Sequence, residues 1–158
     1  MGVSRRRPLL IAPIVGALVV AVLTMVAYVE LTGLKTRDVP IAPADASPEH
    51  VVRSHLDALD AHDCGAAASL MTRRARSGSW CGDVAGVTDI QVTGRHPKRQ
   101  HDPPPGSRQT VTIDVTFGLS WRPFHSDDSL GEGPTEWGYS LVRSSPHDPW
   151  RISDQGTG

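Results

Sequence analysis

Two cysteines, seven histidines and a scatter of carboxylates are the side chains of this chain that could do chemistry. Cys64 and Cys81 are its only thiols. No C-x-x-C spacing and no regular series of further ligands accompanies them, which argues against a structural zinc site or a dithiol redox pair. In an oxidising compartment the two would close a disulfide. A loop of this length contributes on the order of 3 kcal/mol by restricting the unfolded chain. A metal site and a redox pair are the rival readings.

The histidines form no ligand motif. His50 and His55 are five apart, off a common helix face. His101-Asp102, His125 with Asp127 and Asp128, and His147-Asp148 sit among turn-forming residues and read as turn chemistry. For acid–base work one histidine stands out. His55 is the ionisable side chain that helical spacing places beside an apolar stripe, so it is the candidate general base of an interior site. Tyr139 falls on the inward face of a strand and could donate a hydrogen bond there. Asp114 is turned away by strand alternation, so His55 lacks an inward acid. There is no nucleophile elbow, phosphate-binding loop or dinucleotide fingerprint. The residues therefore assign no catalytic role, no metal and no cofactor, and His55 and Tyr139 are pocket candidates only.

The elements that would position these residues are legible. Ser47-Pro48-Glu49 is a helix start: a capping hydroxyl, a proline suited to the first turn, and an acid at the positive helix end. Val52, Leu56 and Leu59 recur at helical spacing with Val51 and His55 alongside, while Arg53, Asp57 and Asp60 fall on the wet side. The helix ends near His62. Asp63 caps a second helix, whose apolar side is Ala66, Ala67, Leu70 and Met71. Arg73, Arg74 and Arg76 read as cations at the C-terminal end of that helix.

From Val87 the period changes to two, with Ile90 and Val92 alternating with polar neighbours. The strongest strand is Thr110 to Trp121, with Val111, Ile113, Val115, Phe117, Leu119 and Trp121 on one face. Trp137, Tyr139 and Leu141 begin a third strand. Trp150 and Ile152 mark a fourth, after the turn residues 145–149. The long connectors 95–108, with Lys98, Arg99 and Pro103–Pro105, and 122–134 read as mobile tips.

Ahead of this domain, Pro8 to Val29 carries no charge. At 1.5 Å per residue it would span roughly 33 Å, enough for a bilayer core. Arg5–Arg7 precede it, and the positive-inside rule keeps that end cytoplasmic and sends the remainder across. The expected organisation is a basic N-terminus over 1–7, a transmembrane helix over 8–29, a proline-broken linker over 30–46, and an extracytoplasmic domain over 47–158. The alternative is a secreted domain after cleavage of a signal peptide. A clear small-x-small cleavage site is absent near the end of the apolar run.

Charge excludes one class of function. Arg5–Arg7 are three of sixteen basic residues, so from Glu30 onward thirteen face seventeen acidic ones, a balance of −4. An acidic domain has no electrostatic reason to seek nucleic acid.

Two helices followed by a four-stranded antiparallel meander is an α+β layout. At the level of Ser47-Pro48-Glu49, of Leu56-Asp57-Ala58-Leu59-Asp60-Ala61-His62-Asp63, and of Trp150-Arg151-Ile152-Ser153-Asp154, residues 47–156 resemble the nuclear transport factor 2-like superfamily, also called cystatin-like or ketosteroid-isomerase-like. The resemblance implies a curved sheet wrapped around helices with a cone-shaped pocket. Membrane-anchored domains of this kind are similar to bitopic subunits of conjugation and type IV secretion machines and to uncharacterised actinobacterial envelope proteins. The expectation is a non-enzymatic extracytoplasmic domain at the plasma membrane that binds a protein partner or assembles, including with itself. The alternatives are a pocket for a small hydrophobic ligand, and a ketosteroid-isomerase-like or dehydratase-like enzyme.

Overall fold

The computed structural model describes residues 11–32, 34–97, 109–123, 125 and 130–156. The chain forms two units, Met1–Leu34 and Lys35–Gly158.

In the first unit, helix α1 spans Ile11–Thr32. Its side chains are described from Ile14 to Tyr28 and are exposed. Thr24, the most polar of them besides Tyr28, returns its hydroxyl to the Val20 carbonyl one turn back. Among the described residues no helix is long and apolar enough to cross a membrane. This corrects the transmembrane helix expected over Pro8–Val29. Pro8–Leu10, the first residues of that expected span, lie outside the described residues. Arg5–Arg7 lie outside the described residues.

The second unit is an α+β fold with a four-stranded antiparallel sheet in the order β1-β2-β3-β4. Its elements are α2 (Pro48–Asp60), α3 (Cys64–Ser69), a 3₁₀ turn (Ala75–Gly78), β1 (Val84–Pro97), β2 (Gln109–Trp121), β3 (Gly133–Arg143) and β4 (Arg151–Gly156). Helix α2 starts as its sequence dictates: the Ser47 hydroxyl accepts from the His50 N–H, and Pro48 opens the first turn. Its apolar stripe is sealed, with Val52, Leu56 and Leu59 at most 1% exposed. The stripe meets the inward face of β2, where Val111, Ile113, Val115, Phe117, Leu119 and Trp121 are all buried and alternate with partly exposed neighbours. Strand β1 carries three register irregularities against β2. Each inserts residues that bend the edge strand away from a flat ladder.

Helix α3 is shorter than its alanine pattern suggests. Asp63 caps it as expected, its carboxylate accepting from the Ala66 N–H. The helix then stops at Ser69 because tertiary pairing takes over. Met71 bridges Ile152 in parallel, the Ile152 N–H donates to the Leu70 carbonyl, and the Thr72 N–H donates to the Ile152 carbonyl. Arg73, Arg74 and Arg76 consequently lie beyond the helix, in and before the 3₁₀ turn, and do not complement its dipole.

The stretch read as a linker over Glu30–Ala46 straddles the boundary between the units. From Lys35 onward it is tied to α2 and α3. The Thr36 N–H donates to the Ala61 carbonyl at 2.9 Å, Arg37 pairs with Asp60 at 3.2 Å, and the Val39 N–H donates to Asp63 at 3.1 Å. Lys35 adds a 2.9 Å ion pair to Asp63. Bonds from Lys35 and from the Val39 and Ala66 N–H groups hold the Asp63 carboxyl below its ordinary pKa. Asp60 also accepts the Val87 N–H at 3.2 Å. These two acids therefore join α2, α3, the preceding segment and β1.

Candidate functional site

The two sequence candidates for an interior site, His55 and Tyr139, do meet. Their rings stand edge to face with centroids 5.7 Å apart. Both are sealed, at 1% and 0% exposure. A water-sized cavity bordering either ring would register as accessible surface, so the space between helices and sheet is filled where they sit. The imidazole Nδ1 lies 3.2 Å from the Ala67 carbonyl, the contact of a neutral ring donating its N–H. Burial pushes the His55 pKa down to about 4, against a weaker opposing effect of that hydrogen bond.

The sign of the pH dependence follows. The unfolded imidazole titrates near 6.5, so between about 6.5 and about 4 the unfolded chain binds the extra proton. Stability present above 6.5 is lost as pH falls through this window. The shift is worth about 3 kcal/mol. His55→Gln, which keeps a donor and removes the titration, should flatten that part of the profile. Denaturant melts of both proteins from pH 7 to pH 4 measure it, and parallel profiles would refute it.

Among the described residues the buried Tyr139 hydroxyl has no hydrogen-bond partner. Burial pushes its pKa up. An unsatisfied buried hydroxyl is costly, and deleting it removes that cost. Tyr139→Phe should therefore be as stable as the parent or more stable by up to about 1 kcal/mol. A clear loss of melting temperature would mean that the hydroxyl is engaged.

Cys64 and Cys81 form the disulfide read from the sequence, with Cα atoms 5.5 Å apart. Among the described residues no group of three His, Cys, Asp or Glu side chains could hold a metal ion. His101-Asp102 and Asp127-Asp128 lie outside the described residues, as do Lys98, Arg99 and Pro103–Pro105. The His96 Nε2 lies 2.9 Å from an Asp114 carboxylate oxygen on the outward face of the sheet, both side chains substantially exposed. Sequence reading turned Asp114 outward correctly and missed its partner, because the register that sets Gly94 opposite Asp114 is a tertiary fact.

A different group of residues gathers at one end of the sheet. The disulfide fixes Cys81, and with it the neighbouring Trp80. The Trp80 indole packs at 4.9 Å from Trp137 and edge-on at 6.0 Å from Trp121. Trp121 in turn stacks on His125 at 5.1 Å and donates its indole N–H to the Leu130 carbonyl. Beside Trp80 and Trp137 lies a cleft of about 410 Å³, also bordered by Arg74, Ser77 and Gln155. The Trp137 indole nitrogen and the Gln155 side-chain oxygen are buried there without partners among the described residues, while the Gln155 amide nitrogen donates to the Gly78 carbonyl. The cleft thus sets tryptophan rings beside polar side chains.

No family model and no curated protein matches the chain. Among solved structures it is similar to the solution structure of a SEC-C motif containing protein from Rhodopseudomonas palustris, with 15% identity over 73% of this chain and 82% of that one and a TM-score of 0.50. The likeness is one of fold alone. It overturns the resemblance to the nuclear transport factor 2-like superfamily, since the matching fold belongs to a SEC-C motif protein and no member of that superfamily matches. The physical reason is that helix starts, an alanine-leucine passage and a final tryptophan strand are demands of any helix-on-meander packing. They report a layout, not a lineage.

Proposed function

We propose that this protein is a non-catalytic binding or assembly domain that works outside the cytoplasm. The apolar N-terminal segment acts as its export signal, and a protein partner or a second copy of the chain engages it. The observation that carries this reading is the Cys64–Cys81 bridge, which pins Trp80 into the tryptophan cluster beside the cleft. A disulfide of this kind persists in oxidising spaces. The uncharged run Pro8–Val29 behind Arg5–Arg7 is the feature of the chain that would deliver it there. The filled interior around His55 and Tyr139 supports recognition at the surface over chemistry inside.

The test has two arms. A reporter active only after export, fused after Gly158, should be active, and a reporter active only in the cytoplasm should be silent. The reverse pattern removes the export reading. A photo-crosslinking residue at Ser77, on the cleft rim, should yield a discrete adduct in native membranes, and one at Arg53, on the exposed side of α2, should not. Equal labelling from both positions would count against the cleft as the contact surface.

A further inference from the structure

The opposite end of the sheet carries a second cleft, and its chemistry is different. Strand register places Gln109 beside Arg143 and Pro97 beside Val111. The C-terminal ends of β1 and β3 and the start of β2 therefore converge. Arg95, Gln109, Arg143 and Trp150 border an open cleft of about 490 Å³, a volume in the range of small-ligand sites.

The side chains of this wall are donors. Arg143 lies over the Trp150 ring at 4.5 Å. Its Nε donates to the Gln109 side-chain oxygen at 2.6 Å and its Nη1 to the Pro146 carbonyl at 3.0 Å. Those contacts hold the guanidinium plane in place. The Gln109 oxygen is occupied by that bond, and its amide N–H groups are the remaining donors of a side chain that borders the cleft. Arg95 is steadied on one side by Glu49, at 3.0 Å. Among the described residues that border the cleft there is no carboxylate.

Two guanidinium groups and an amide donor bordering one cleft, with the Thr110 hydroxyl beside them, are complementary to an oxyanion. Arginine suits this role because its planar fork meets carboxylate or phosphate oxygens in pairs. Stacking on Trp150 and the bond to Gln109 mean that little side-chain freedom is lost on binding. The domain is acidic as a whole, so attraction of an anion to this end is a local property of these residues and not of the net charge.

We infer that the Arg95–Arg143 cleft is a binding site for an oxyanion group, a carboxylate or a phosphate. This inference is independent of where the domain works and of the tryptophan cleft.

Titration of the full chain in zwitterionic detergent tests it, using nitrogen-edited NMR at constant ionic strength. The probes are inorganic phosphate, succinate and, as a control, chloride. Phosphate or succinate should produce saturable shifts at the Arg95 and Arg143 Nε groups and the Trp150 indole, and chloride should not. Arg143→Gln and Arg95→Gln should each weaken binding by about tenfold, the effect of losing one charge-assisted pair. Arg95→Gln keeps the test informative where Arg143→Gln perturbs the packing on Trp150. Vesicles of phosphatidylglycerol against phosphatidylcholine identify the source. Retention on the former that is lost in both variants assigns the oxyanion to a lipid headgroup. Soluble saturation without vesicle retention assigns it to a free ligand. Shifts that grow linearly and match those of chloride, or saturable binding undiminished in both variants, would overturn the site.

Discussion

Cys64→Ser should lower the unfolding free energy by about 3 kcal/mol, the entropy released when a loop of this length is opened in the unfolded chain. The Cys64→Ser, Cys81→Ser double variant should cost little more than the single change, because both remove the same bond and the effects are not additive. The expected size is large relative to the total stability of a small domain. Helix α3 has six residues and its buried side chains are alanines, so it has little apolar area with which to dock unaided. The bridge supplies the attachment and also holds Trp80 against Trp121 and Trp137. Equilibrium denaturation with and without reductant measures the effect, and the Trp80 environment supplies a fluorescence signal. Alkylation of the denatured, unreduced chain that labels both thiols, or a reduced protein that melts with the oxidised one, would end the claim.

Ile113→Ala is expected to cost between about 2 and 5 kcal/mol, whereas Thr112→Ala should fall within about 0.5 kcal/mol of the parent. The contrast between adjacent residues is the point of the experiment. Ile113 has no exposed surface and packs in the core cluster with the α2 stripe. Thr112 points to the other face of the same strand, opposite Ser140. A slip of one residue would exchange the two environments and therefore the two effects. Urea denaturation of both variants decides it, and equal losses would refute the register of β2. The His55 and Tyr139 substitutions probe the same core from the helix side and from β3. The first reports through its pH dependence and the second through a hydroxyl that has no partner among the described residues.

The sequence by itself determined the features that are written in local periodicity. The start of α2 was readable because a capping hydroxyl, a proline and an acid act within one turn of each other. The inward face of β2 was readable because burial on one side forces alternation in residue type. The disulfide was readable by elimination, since two thiols allow one intramolecular pair. His55 and Tyr139 were correctly placed on inward faces for the same reason, although inwardness alone does not say whether a side chain borders a pocket or fills it.

What only the tertiary structure decided depends on residues far apart in the chain. The early stop of α3 comes from Leu70, Met71 and Thr72 pairing with Ile152, a partner some eighty positions away. The packing of Lys35 to Ala46 rests on Asp60 and Asp63, which helical spacing had put on the wet side or at a cap. One local signal was present: Asp60 is an anion at the C-terminal end of a helix, where the dipole disfavours it, so it needed partners from elsewhere. Arg37 and the Val87 N–H are those partners. Both clefts are likewise products of register. Trp80 reaches Trp137 through the bridge at Cys81, and Arg143 reaches Gln109 because β2 and β3 pair at that offset. A sequence records which faces are apolar. It does not record the offsets between strands, and those offsets decide which donors, rings and charges share a surface.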